Sequence, residues 1–323
     1  MGAFFLYKTA SVTKTDLDLV QEEFVKKGLS KPEVFQLADY TLWLYSKKLM
    51  PVGINHRSQG QNSIFVTGTL SYKGNSYTQS MDILFSDILT DKFNPQELIG
   101  NHTIIIWIGN KISVIPDRSN ILNIYYNRDK TILSNSLLAI QATLGENPEL
   151  DKLSIAENLL TGYLIGPSTF FKQIKRLEPG DTSTLFENIE LIFIPPPVPL
   201  KASGNQEEAL QKQLAALSTY FQKAKQLADE YGADSGITSG HDSRLNMAFM
   251  RKYWANVSYH SHFRKIKDRE VEIAELVCKK AGVENKQVEV KPTIEMTEAE
   301  LEQNLNEAFH FFDGRCETTR ILY

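Results

Sequence analysis

Five residues divide this chain. Pro195-Pro196-Pro197-Val198-Pro199 puts four prolines in five positions. Each ring fixes φ and removes a backbone donor, so the stretch is extended and lies outside any sheet. Lys201-Ala202-Ser203-Gly204-Asn205 follows with small and polar residues. The boundary falls here: one domain over residues 1–194, a linker over 195–205, a second domain over 206–323. A chain of 323 residues has room for two ordinary domains.

The two sides differ in period. Before the prolines, strand formers cluster at residues 64–70, 103–108 and 112–115. Gly109-Asn110 between the last two reads as a hairpin turn. Ile124-Tyr125-Tyr126 and Thr131-Ile132-Leu133 form another strand pair, joined by turn residues 127–130. Helices are expected over 15–27 and 81–89, and over 151–164, where Leu153, Ala156, Leu159 and Leu160 share a face. Leu177-Glu178-Pro179-Gly180-Asp181 reads as a turn. After the prolines, residues 206–231 carry one long amphipathic helix pattern. A short strand, a loop, a helix over 243–253, a strand over 257–261, a helix over 268–281 stopped by Gly282, and a strand over 288–290 follow. That alternation is the pattern of a parallel α/β sheet.

Composition narrows the function classes. Hydrophobic residues make up 42% and charged residues 23%, ordinary for a globular protein. The net charge of −4 argues against a nucleic-acid partner, which calls for a basic face. No apolar run is long enough to span a bilayer, so no membrane partner is expected. Residues 1–10 lack the charged start and apolar core of a signal peptide. Gly2 invites a myristoylation reading, but Leu6 stands where Ser or Thr is wanted. Cys278 and Cys316 give neither a disulfide framework nor metal spacing, so a reduced, cytoplasmic setting is expected.

The chemistry concentrates in Ile237-Thr238-Ser239-Gly240-His241-Asp242-Ser243-Arg244. This loop falls between a strand and a helix, where ligands bind in open α/β sheets. Amides at a helix start favour an anion, and small residues let it come close. Thr238, Ser239 and Ser243 add hydroxyls, and Asp242 can hold a magnesium that bridges phosphates. The same residues also read as a helix cap, since Asp and Ser cap helices without any ligand. Both readings stand on composition alone.

Thr238-Ser239-Gly240-His241-Asp242-Ser243 resembles the Ser-Gly-Gly-x-Asp-Ser loop of the PP-loop ATP pyrophosphatases, with Ser239 departing from the first glycine. The surroundings resemble the asparagine synthetase B-type family, whose relatives include β-lactam synthetases and lasso-peptide cyclases. Gly100-Asn101-His102 through Trp107 is similar to its Gly-x-Phe strand. Pro116-Asp117-Arg118 with Ile124-Tyr125-Tyr126 is similar to its Arg-Asp and Pro-Leu-Tyr-Tyr segment, and Leu133-Ser134-Asn135-Ser136 to its Ser-Ser-Glu segment. Residues 161–180 resemble its Gly-Tyr-(Val/Ile)-Pro-x-x-Thr-Leu-Phe-x-x-Ile-x-x-Leu-x-Pro-Gly in order, with the spacing kept from Thr169 to Gly180. Asp268-Arg269-Glu270 to Ala274, then Lys280-Ala281-Gly282, resembles the helix after the loop.

The resemblance implies an α/β fold: an N-terminal-nucleophile (Ntn) hydrolase-like α/β/β/α sandwich, then an incomplete PP-loop α/β/α domain with a parallel sheet. It implies ATP and Mg2+ as cofactors. Thr238, Ser239, Gly240, Asp242 and Ser243 would hold the pyrophosphate portion, with Asp242 on the metal. Ile237 would pack beside the base, and the backbone around Val257 and Tyr259 would contact adenine. The implied activity is ATP-dependent amide-bond formation between a small-molecule or peptide carboxylate and an amine.

Two departures qualify it. Glutamine-dependent members begin Met-Cys-Gly, and the cysteine thiolate attacks the glutamine amide. This chain begins Met1-Gly2-Ala3-Phe4, so no glutaminase activity is expected. The family's later Ser-Gly-x-Gly-x-Asp-Glu segment and catalytic lysine have no match before Tyr323. The expectation is therefore a fragment, a truncated product or one half of a split enzyme, with a partner chain supplying the rest and a homodimer in view. A nucleotide-binding or scaffold protein is the alternative. A tRNA-thiolating enzyme is disfavoured by the charge and the missing Cys-x-x-Cys.

Other residues carry less. His260 and His262 alternate on one strand face with no third ligand spaced nearby. Arg244 either reaches a phosphate or faces solvent, and His241 has no assigned role. Asp117-Arg118 is expected as an ion pair or turn. The charge run over 298–307 is expected as a solvated helix face.

Overall fold

The computed structural model describes residues 2–47, 51–145, 148–179, 186–195, 205–263, 269–291 and 295–314. Most of the proline linker, residues 180–185, Asp268 and Cys316 lie outside the described residues.

The first half forms, in order, β1 (Ala3–Lys8), α1 (Lys14–Lys26), β2 (Glu33–Leu37), β3 (Tyr40–Tyr45), β4 (His56–Gln59), β5 (Asn62–Gly68), β6 (Ser71–Tyr72), α2 (Tyr77–Leu89), β7 (Leu98–Ile99), β8 (His102–Ile108) and β9 (Lys111–Pro116). It continues with β10 (Tyr125–Asn127), β11 (Ile132–Ser134), α3 (Leu137–Gln141), α4 (Lys152–Thr161), β12 (Ile174–Arg176) and β13 (Ile189–Leu191). One sheet has the order β12-β10-β11-β1-β3-β2 and another β13-β9-β8-β5-β4. Phe4, Leu6, Leu42, Phe65, Ile105 and Val114 pack between the sheets. Phe5 and Tyr7 face Val20 and Phe24 of α1 on the outside. Ile64, Val66, Ile104 and Ile106 face Met81 and Leu84 of α2 on the other outside. The layers thus run helix, sheet, sheet, helix. β1 reads as a continuous apolar run because both its faces are covered.

Local chemistry sets the element ends. Thr13 and Asp16 form a reciprocal capping box that starts α1. Ser76 accepts from the Gln79 amide at 3.4 Å, which starts α2 a turn before the predicted residue 81. Gly109, at φ 60°, turns β8 into β9, as the Gly-Asn pair predicts. Asn127 Oδ1 accepts from the amides of Thr131 and Ile132, both at 2.9 Å, and so closes the β10–β11 turn. The predicted apolar face of α4 points to solvent: Leu153 and Leu160 are 80% and 87% exposed.

The second half forms α5 (Gln206–Lys223), α6 (Lys225–Tyr231), β14 (Ala233–Gly236), α7 (His241–Tyr253), β15 (Val257–Phe263), α8 (Arg269–Ala281), β16 (Lys286–Glu289) and α9 (Glu298–Phe311). The strands pair in parallel, in the order β14-β15-β16. Met247 of α7 and Ala274 and Cys278 of α8 pack with Ile237 and Tyr259 on one face. On the opposite face Asp234 accepts from Ser258 Oγ at 2.6 Å and lies 2.8 Å from His260 Nδ1.

The single predicted helix over 206–231 is two helices. The Ser71 hydroxyl donates to the Lys223 carbonyl at 3.3 Å, an insertion of the kind that breaks a helical ladder. The junction is also where the halves meet. Lys223 Nζ lies 2.6 Å from Glu97, and Tyr77 stacks edge-on with Tyr231. Glu230 Oε2 accepts from the Tyr77 amide at 2.9 Å, at the first turn of α2. A second link comes from the far end. The carboxylate of Asp313, just beyond α9, accepts from the Leu137 and Leu138 amides at the start of α3 and pairs with Lys27. Glu298, Glu302 and Glu307 of α9 are exposed, as the charge run predicts. Among the described residues, no helix is long and apolar enough to cross a membrane.

Candidate functional site

β14 ends at Gly236 and α7 begins at His241, so the loop sits at the carboxyl end of a parallel strand. Ile237 still pairs with β15: its amide donates to the His260 carbonyl at 2.8 Å, and its carbonyl accepts from Ser261 Oγ at 2.8 Å. Its side chain is 2% exposed and points into the helix-side core. The backbone is thereby fixed just before the loop turns.

Beyond Ile237 the loop closes on itself. Ser243 Oγ accepts from the Thr238 amide at 3.2 Å and lies 3.1 Å from Thr238 Oγ1. Thr238 Oγ1 in turn accepts from the Gly240 amide at 3.1 Å. Ser239 Oγ donates to Glu270 Oε1 at 3.3 Å, bringing a carboxylate of α8 against the loop. Arg244 folds back: Nε donates to the Gly240 carbonyl at 3.2 Å, and Nη2 meets His241 Nδ1 at 3.1 Å.

Gly240 occupies the cap position of α7 and supplies no side-chain acceptor. α5 and α9, by contrast, are capped by Asn205 and Thr297. Neither Asp242 nor Ser243 is the cap residue; Asp242 stands exposed in the first turn. The helix start therefore presents amides that no cap side chain covers. Gly240 has φ −67°, so the position needs no left-handed backbone. A Cβ there would meet Thr238 Oγ1 at 3.1 Å, and its absence keeps the approach to the amides open.

The structure brings Thr238, Ser239, Gly240, Asp242 and Ser243 together. It does not bring Val257 to them. Val257 pairs with Ala233 at the far end of β15, while His260 pairs with Gly236 beside the loop. Four strand residues separate Val257 from the loop's level, about 13 Å at the usual rise. Tyr259 is buried in the helix-side core at 4% exposure. In the parallel register His260 to His262, and not Val257 to Tyr259, stand level with the start of the loop. Glu270 at the loop was not singled out from the sequence.

Among the described residues no group of three or more His, Cys, Asp or Glu is placed to hold a metal ion. His260 is engaged by Asp234, whose carboxyl is held below its usual range by the Ser258 hydroxyl and by His260. Asp117 closes a turn, accepting from Ser119 and Ile121 at 3.0 and 3.1 Å, while Arg118 donates to Gln96 at 2.7 Å. The pair is therefore a turn and not an ion pair. Comparison of the chain with family models and with curated proteins returns no match.

Proposed function

We propose that this chain binds ATP at residues 238–243 and serves an amide-bond-forming reaction of the asparagine synthetase type. The observation that carries the reading is the uncapped start of α7 at the carboxyl end of β14, with glycine at the cap. A bound pyrophosphate portion would take up the amides at the α7 start, and the Thr238 and Ser243 hydroxyls would turn from each other to its oxygens. Magnesium at Asp242 would neutralise phosphate charge. The protein's contribution is to hold the α-phosphorus in line with a substrate carboxylate oxygen. That oxygen forms a bond to the phosphorus as pyrophosphate leaves; an amine then attacks the acyl carbon and AMP departs with the electron pair.

The amine is ammonia or part of the substrate. A side chain at Gly2 would meet the Tyr45 carbonyl at 2.7 Å, so this end of β1 has no ready space for a nucleophile at residue 2. Lys47 closes the same place, its Nζ donating to Thr69 Oγ1 at 2.7 Å. The layered first half supports the reading of an Ntn-hydrolase-like scaffold kept without its thiol.

The test is pyrophosphate release from ATP in the presence of magnesium and candidate carboxylates. Asp242→Ala should abolish it; unchanged release in that variant overturns the assignment.

A further inference from the structure

A cavity of about 430 Å³ lies between α9 and the outer side of the first sheet, far in sequence from the phosphate loop. One wall is Leu301, Leu305 and Ala308 of α9; the other is Leu137 of α3, Leu164 and Phe170. The volume is that of a small-molecule site.

The walls are fixed independently of any occupant. At one end of α9, Thr297 and Glu300 form a capping box. At the other, Asp313 is tied to Lys27, to the Ser136 hydroxyl and to the first amides of α3. The capping box fixes the start of the helix, and the Asp313 end ties it across the cavity to α1 and α3.

The lining also specifies charge. Among the described residues, Arg176 is its one charged residue. Its Nε and Nη2 donate to Glu178 Oε1 at 3.0 and 2.8 Å, and Nη2 also to the Gly166 carbonyl at 2.8 Å. The guanidinium is thus already neutralised by a carboxylate. The remaining polar groups, Asn158, Asn304 and Ser168 among them, are uncharged. An anionic ligand would have to compete with Glu178 for the guanidinium.

We propose that this cavity binds an uncharged, mostly apolar small molecule with one or two hydrogen-bonding groups, and that α9 forms its outer wall. Two matched probes test it by fluorescence titration of the whole chain: N-phenyl-1-naphthylamine, which is uncharged, and its 8-sulfonate, which is an anion. The uncharged probe should bind saturably, and the sulfonate at least about tenfold more weakly. Ala308→Trp, which fills the cavity from α9, should remove binding of the uncharged probe. Ser168→Trp fills it from the opposite wall and should do the same, so the test survives if one variant misfolds. Leu160→Ser, on the exposed face of α4, should change nothing. Absence of saturable binding overturns the proposal. So does equal binding of both probes, or loss with Leu160→Ser and not with the cavity-filling variants.

Discussion

Asp313 accepts the hydroxyl of Ser136 at 2.8 Å, across 177 residues of sequence. Ser136 is the cap of α3, accepting from the Ala139 amide at 3.1 Å, and Asp313 takes the two amides before it. A carboxylate from the end of the chain thus completes the cap of a helix in the first half. Glu230 does the same for α2 through the Tyr77 amide. Negative charge at a helix start is favourable, and each link ties the halves through a backbone group no side chain nearby would satisfy as well.

Asp313→Ala should therefore be costly. It leaves Lys27, whose side chain is 13% exposed, without its partner and opens two amides of α3. Breaking a buried charged pair predicts a loss of about 3 kcal/mol in urea unfolding. Hydrogen exchange should rise along α9, while the sheet β1-β3 keeps its protection.

Glu230→Ala should cost less, about 1 kcal/mol, as for a lost helix cap. Ser76 still accepts from Gln79 and keeps part of the α2 start. Glu230→Gln retains an acceptor for the Tyr77 amide and should recover most of the loss, measured by thermal melts at low salt.

His102 sets an acid limit. It is 2% exposed, and burial pushes its imidazole down to about 4, against a smaller upward pull from Asp117. Between about pH 6.5 and 4 the unfolded chain binds the proton and the folded chain does not, so stability falls as pH falls. The full effect is of order 3 kcal/mol, complete below pH 4 and absent above the unfolded value. His102→Gln should flatten this part of the pH–stability curve; a curve of unchanged slope excludes His102 as its source.

Gly240→Ala separates fold from binding at the loop. The residue has φ −67°, which alanine adopts freely, so stability should change by less than about 1 kcal/mol. The new methyl group sits against Thr238 Oγ1 on the side where a phosphate would approach. ATP affinity should fall while the melting curve stays in place.

Much of this architecture was legible locally. The Gly109-Asn110 hairpin and the strand–loop–helix around residue 240 follow from turn chemistry and pattern within a few residues, while α1 starts at Lys14 behind its Thr13 cap, just ahead of the expected residue 15. What escaped depended on distant partners. The break at Ala224 falls where Ser71 of the first half meets the Lys223 carbonyl, and the end of α9 is seated on the α3 start. The outward face of α4 breaks the rule that an apolar stripe is buried. The resemblance points to the backbone around Val257 and Tyr259, whereas pairing with β14 sets His260 level with Gly236 beside the loop. In the same way Glu270 arrives at Ser239 through packing of α8, not through spacing.

The central claim is that the uncapped start of α7 holds the phosphates of ATP. Calorimetric titration with ATP and magnesium tests it most directly, on the native sequence and on Asp242→Ala. The account predicts saturable, magnesium-dependent binding to the native chain, weakened at least about tenfold in the variant. Binding that ignores both magnesium and Asp242, or no binding to either protein, would contradict it.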